Sequence, residues 1–218
     1  RQGGPMIDGH TFALFCLASL ALIFTPGPDI IYVLTRGVAQ GRDAALAAAA
    51  GFSLGNIAHT LLASLGVSAL IVASATAFQA VKLAGAVYLV YLGIRLFRAG
   101  DPATAKAEDA DAGTPALWAV FRQSVIANVL NPKVAVFFLA FFPQFIDHEA
   151  GNGVAQMLLL GLAFVVLTFL GFGLVALLSG SINRLFIRRP GASRLLYRGA
   201  GAVLVGLGLK LAWPENWS

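Results

Sequence analysis

The sequence predicts an all-α integral membrane protein: six transmembrane helices, folded as two inverted-topology three-helix repeats with Pro-broken first and fourth helices. Three observations predict it. Apolar residues make up 58% of the 218 and charged residues only 11%, with a mean hydropathy of +0.81, more apolar than an ordinary soluble domain. Six stretches reach the roughly 20 mostly apolar residues that a helix needs to cross a bilayer core. The first and fourth are interrupted by proline at matching depth, at Thr25-Pro26-Gly27-Pro28-Asp29 and at Asn131-Pro132-Lys133.

In order, the stretches cover roughly 11–35, 44–73, 77–97, 118–145, 153–180 and 195–213, which leaves no room for a separate soluble catalytic domain. Residues 1–5, ahead of Met6, read as a cloning scar. The first stretch is too long for a cleaved signal peptide, lacks a basic lead and carries Pro26 to Asp29 where a cleavage motif would sit. Cys16, the only cysteine, offers no disulfide or paired metal site and reads as a packing residue.

The second stretch carries Ser53, Asn56, His59 and Thr60, whose three- and four-residue spacings share one helical face. A polar stripe in lipid must face protein or water, so it is expected to turn inward. Tyr88 and Tyr91 in the third read as packing or interface residues. Residues 99–117 contain Pro102, Gly113, Pro115 and several acids and form a flexible linker between a first repeat over 6–98 and a second over 118–218. Trp118, Trp213 and Trp217 sit where aromatic rings anchor helices at the membrane interface.

The basic residues divide unequally. Arg36 and Arg42, then Arg95, Arg98, Lys106 and Arg122, then Arg184, Arg188, Arg189, Arg194 and Arg198 flank connections one, three and five. The other side has Lys82 and Lys210, with Asp147 and Glu149 in its connection four. The positive-inside rule therefore places loops one, three and five in the cytoplasm and both termini outside. Flanking apolar spans as they do, these cations are read as topology signals, and no nucleic-acid partner is expected.

The halves resemble each other. Ala84-Gly85-Ala86-Val87 recurs as Ala200-Gly201-Ala202-Val203, and Leu92-Gly93-Ile94-Arg95-Leu96 is echoed by Leu207-Gly208-Leu209-Lys210-Leu211. Three crossings are an odd number, so the second copy must enter from the opposite side, and inverted repeats supply the two related packings that alternating access requires. Gly51, Gly55, Gly85, Gly93 and Gly201 let backbones approach, and such faces leave homodimerisation open.

Taken together, several motifs resemble the LysE/RhtB-type amino-acid exporters. The likeness rests on Phe24-Thr25-Pro26-Gly27-Pro28-Asp29, Gly51-Phe52-Ser53-Leu54-Gly55-Asn56, Tyr91-Leu92-Gly93, Phe121-Arg122-Gln123 and Asn131-Pro132-Lys133. It spans nearly the whole chain. The resemblance implies a multi-pass secondary exporter of amino acids or close derivatives in the bacterial inner membrane, coupled to the proton gradient and needing no cofactor.

The residues at the breaks suit that chemistry. Proline is favoured at the first helical position, so Pro28 and Pro132 are expected to begin second half-helices, with Asn131 capping the latter. Half-helix N-termini receive carboxylates, so Pro26, Gly27, Pro28, Asp29, Asn56, Asn131, Pro132 and Lys133 are the candidate substrate site. Asp29 offers a negative charge to an ammonium or a proton, and Lys133 a positive charge to a carboxylate. The plainer alternatives are mutual neutralisation and snorkelling of either charge to the surface. At about 1.5 Å per residue, Asp29 lies roughly 27 Å from one face and Lys133 roughly 22 Å from the other. In a core about 30 Å thick that separates their depths by more than roughly 10 Å and speaks against a direct ion pair.

His59 joins Asp29 as a proton-coupling candidate, against the alternative of a satisfied structural histidine. Gln123 and Asn128 reach either the path or a neighbouring helix. The competing function is a membrane-embedded enzyme, but HExxH, GxSxG, GxxxxGK and paired cysteines are all missing, and Asp29 with His59 lacks a nucleophile. A channel or structural subunit is the third class. A single intramembrane acid tilts the expected substrate toward neutral amino acids.

Overall fold

A computed structural model describes residues 7–73, 75–98, 116–147, 152–188 and 190–213. The expected scar at 1–5, nearly all of the expected linker, Glu149, Arg189 and Trp217 lie outside the described residues.

Helix α1 spans Gly9–Phe24 and starts where the Asp8 carboxylate accepts the His10 and Thr11 amide protons at 2.8 and 3.0 Å. It stops because Pro26 has no N–H to continue the ladder and drives Thr25 into extended backbone, φ −64° and ψ 119°. Helix α2, Pro28–Gln40, restarts with proline at its first turn. Gly41, at φ 89°, makes the left-handed turn into α3, Arg42–Ala73. Helix α4 covers Ala75–Arg98 and α5 covers Leu117–Val129. After the second break α6 begins at Pro132, capped by Asn131 Oδ1 accepting from the Lys133 amide at 3.0 Å, as its sequence predicts. It continues through a wide π-helical turn at Phe137–Phe141 and a tight 3-10 turn at Phe142–Phe145. Helix α7 is Gly153–Arg188 and α8 is Pro190–Ala212.

Four helices, α3, α4, α7 and α8, are long and apolar enough to cross a bilayer. The pairs α1 with α2 and α5 with the Pro132–Phe145 segment pass together and bend by 58° and 46°, giving up to six crossings if each bent pair is one. The chain is a multi-pass membrane protein. Its described part is all-helical.

Polarity is turned inside out. Leu17, Leu62, Leu65, Leu162 and Leu195 are exposed, whereas Ser53, Asn56, His59, Thr60, Ser124, Asn128 and Thr168 are buried. The second-span stripe thus faces protein, as its spacing requires.

Helix α3 is the central post, packing on α5 and α7, while α2 lies against α3 and α7. The α4–α8 contact is antiparallel, since Gly93 meets Gly201 while Gly208 meets Ala86. A methyl group on Gly93 would lie 2.6 Å from the Gly201 carbonyl, and one on Gly201 would lie 2.7 Å from the Gly93 carbonyl. Only glycine permits this approach.

Candidate substrate site at the two helix breaks

The breaks face each other. Lys133 Nζ lies 2.7 Å from Asp29 Oδ2 and 3.1 Å from Oδ1, with both side chains about 5% exposed or less. The expected depth separation is therefore wrong. Distance along the chain measures depth only for straight rods, and bends of 58° and 46° fold the two breaks onto one level.

A buried ion pair survives only when its remaining donors and acceptors are also satisfied, and each charge here has such partners. The ammonium donates to the Thr25 carbonyl at 3.3 Å and to the Leu22 carbonyl at 3.4 Å. Leu22 is the residue whose carbonyl Pro26 would have met with an N–H had the helix continued, and the Thr25 amide also reaches it at 3.2 Å. The Thr25 hydroxyl covers the Ala21 carbonyl at 2.7 Å. Asp29 Oδ1 accepts the Ile30 amide at 3.0 Å. The cation thus sits at the negative end of α1 and the carboxylate in the first turn of α2, each where the helix dipole favours it. Gly27 leaves the room: a Cβ there would lie 2.7 Å from Asp29 Oδ1 and 3.1 Å from Lys133 Nζ.

Beside the pair lies a narrow pocket with a cavity volume of about 10 Å³. Asp29, Lys133, Asn56, Asn128 and Thr168 line it together with Leu22, Ile23, Val134, Phe164 and Phe172. Its polar wall is a chain of bonds: Asn128 Nδ2 donates to Asn56 Oδ1 at 3.1 Å, Asn56 Nδ2 to Thr168 Oγ1 at 3.0 Å, and the Thr168 hydroxyl to the Phe164 carbonyl at 2.8 Å. The lining presents one positive and one negative group to whatever enters, and in this close-packed state the cleft must widen to take more than a water.

Of the predicted residues, Asp29, Lys133 and Asn56 line the pocket. Gly27 and Asn131 hold the charged pair in place. Pro26 is buried, whereas Pro28 and Pro132 are exposed and serve as helix starts rather than as lining. His59 stands one turn away from Asn56. Its Nε2 donates to the Asn128 carbonyl at 3.0 Å and its ring stacks on Phe138 at 5.6 Å. No hydrogen bond joins it to Asp29 among the described residues. Gln123 accepts from Tyr32 and Arg36 away from the pocket. Sequence reasoning missed Thr168, which shares the most apolar span with Ser179 and Ser181 and is singled out by no three- or four-residue spacing.

Buried opposite charges at two opposed helix breaks, in a multi-pass helical protein, are the class of arrangement expected of a membrane translocator. Residues 20–214 match the LysE type translocator family, and the chain belongs to it. It is similar to an uncharacterised membrane protein of Vibrio cholerae, 33% identical over 94% of this chain and 98% of that one. It is 29% identical to a leucine efflux protein of Klebsiella pneumoniae, over 94% and 96% of the two chains. A homoserine/homoserine lactone efflux protein of Salmonella typhimurium is 32% identical, over 91% and 94%. No solved structure matches the chain.

Proposed function

We propose that this protein is a secondary exporter of small neutral amino acids or close derivatives, working by alternating access in the bacterial inner membrane. The observation that carries the reading is the Asp29–Lys133 pair at the junction of both breaks. A zwitterion replaces it: the substrate ammonium takes Asp29, its carboxylate takes Lys133, and neither charge is left unpaired. Efflux activity in the names of two relatives supports the same class. One acid and one base in the lining balance a neutral amino acid and offer no second carboxylate to a cationic side chain.

Asp29, the one carboxylate in the pocket lining, is assigned to carry the coupling proton. His59 is assigned to positioning Asn128. The antiparallel α4–α8 packing and the two matched breaks support an inverted repeat of 6–98 and 118–218, with six crossings. The arginine-rich connections, with the 99–117 linker, face the cytoplasm and both termini face outward.

Sealed proteoliposomes loaded with labelled leucine, homoserine, threonine or lysine, under an imposed pH gradient, test this. Gradient-dependent release of neutral amino acids but not lysine is expected. Gradient-independent leakage of the whole panel identifies a channel, and no release of any amino acid removes the reading.

A further inference from the structure

Two unequal groups of aromatic rings extend from the pocket lining. Toward the end of α6, Phe164 of the lining contacts Phe138 at 5.1 Å and Phe137 at 5.3 Å. Behind them Phe142 stacks on Phe138 at 4.8 Å and meets Phe15 edge-on at 5.2 Å. All five rings are at most 2% exposed. Toward the arginine-rich end the group is smaller. Phe172 of the lining meets Phe52 edge-on at 5.8 Å, and Phe52 meets Tyr32 at 5.8 Å. Tyr32 is half-buried, so this column ends at the surface after three rings.

Its surface end is fastened by a polar contact. The Tyr32 hydroxyl donates to Gln123 Oε1 at 2.9 Å, Arg36 Nη2 donates to the same oxygen at 3.3 Å, and the Arg36 guanidinium lies 4.8 Å above the Tyr32 ring. Tyr32 and Arg36 ride on α2, one and two turns beyond Asp29, and Gln123 rides on α5, which ends at the break before Lys133. Helices α2 and α5 both lean on α3 more than on each other. Helix α2 is therefore tied at two levels: to α6 by the ion pair at the pocket, and to α5 by Gln123 near the surface.

We propose that Tyr32, Arg36 and Gln123 are the latch, and Phe52 with Phe172 the leaf, of the gate that admits substrate from the arginine-rich face. The inference rests on the pocket being the transport site. Opening needs two aromatic contacts and one solvent-exposed hydrogen-bonded cluster to part, whereas the opposite side must repack a buried five-ring cluster. An arriving carboxylate competes for Arg36 and so loosens the latch as it enters.

The test starts from a Cys16→Ser background with a reporter thiol in the pocket, Thr168→Cys or, independently, Val134→Cys. A membrane-impermeant thiol reagent is applied to the arginine-rich face. Gln123→Ala and Tyr32→Phe should each speed labelling about fivefold, the population change that one lost hydrogen bond produces. Separately, Tyr32→Cys with Gln123→Cys, bridged by a short cleavable bifunctional thiol reagent, should lose efflux and regain it on reduction. Unchanged labelling in both latch variants, or full efflux through the bridged protein, overturns the gate. If the Cys16→Ser protein exports no amino acid at all, the exporter reading fails, while the labelling rates still decide whether this face opens.

Discussion

Lys133 reaches across the break in the first span to stand 2.7 Å from Asp29, and the same ammonium meets the Leu22 carbonyl that Pro26 leaves without its helical partner. One side chain thereby closes the electrostatics of both interruptions.

Removing either member leaves a buried, uncompensated charge, which costs about 3–5 kcal/mol. Asp29→Asn and Lys133→Met should each lower thermal stability in detergent. The double variant should recover most of that loss while still exporting nothing. Unfolding scans paired with efflux assays check both halves, and efflux by either well-folded single variant would remove the pair from the mechanism.

Thr168→Val keeps the shape of the pocket wall but strips the acceptor from Asn56 Nδ2. A buried donor left unpaired costs about 1–3 kcal/mol. Raised KM for efflux with near-normal membrane abundance is expected, against Thr168→Ser, which keeps the hydroxyl and should transport almost normally.

His59→Gln retains an N–H for the Asn128 carbonyl and should keep gradient-dependent efflux, because the proton rides on Asp29 in the proposed cycle. A pH-insensitive efflux rate in this variant would move the coupling to His59.

Gly93→Ala places a methyl 2.6 Å from the Gly201 carbonyl, a rigid backbone atom, and should cost about 1–3 kcal/mol. Gly173→Ala meets nothing within 4 Å and should be stabilising by up to about 1 kcal/mol, as alanine favours a helix. Denaturation midpoints of the two side by side measure the α4–α8 contact.

Local features were legible in the sequence because local rules determine them. Proline at a first helical turn announces α2 and α6, with asparagine before it in α6 alone, and three- and four-residue spacing turns Ser53, Asn56, His59 and Thr60 inward. The Asp29–Lys133 pairing was not legible, since it depends on two bend angles that no residue spacing encodes. Nor was the π-helical turn at Phe137–Phe141, which lies in a dense phenylalanine run where any helical register looks apolar. Nor was Thr168, since it shares its span with Ser179 and Ser181 and forms no polar stripe of three- or four-residue spacing with them.

The Thr25 hydroxyl, bonded to the Ala21 carbonyl at 2.7 Å, has a mechanical meaning. With that oxygen covered by a side chain and the Leu22 oxygen reached by Lys133, the elbow between α1 and α2 is braced from two directions. Whatever draws Lys133 aside withdraws one brace and leaves the other, so the joint becomes a hinge that can swing without fraying.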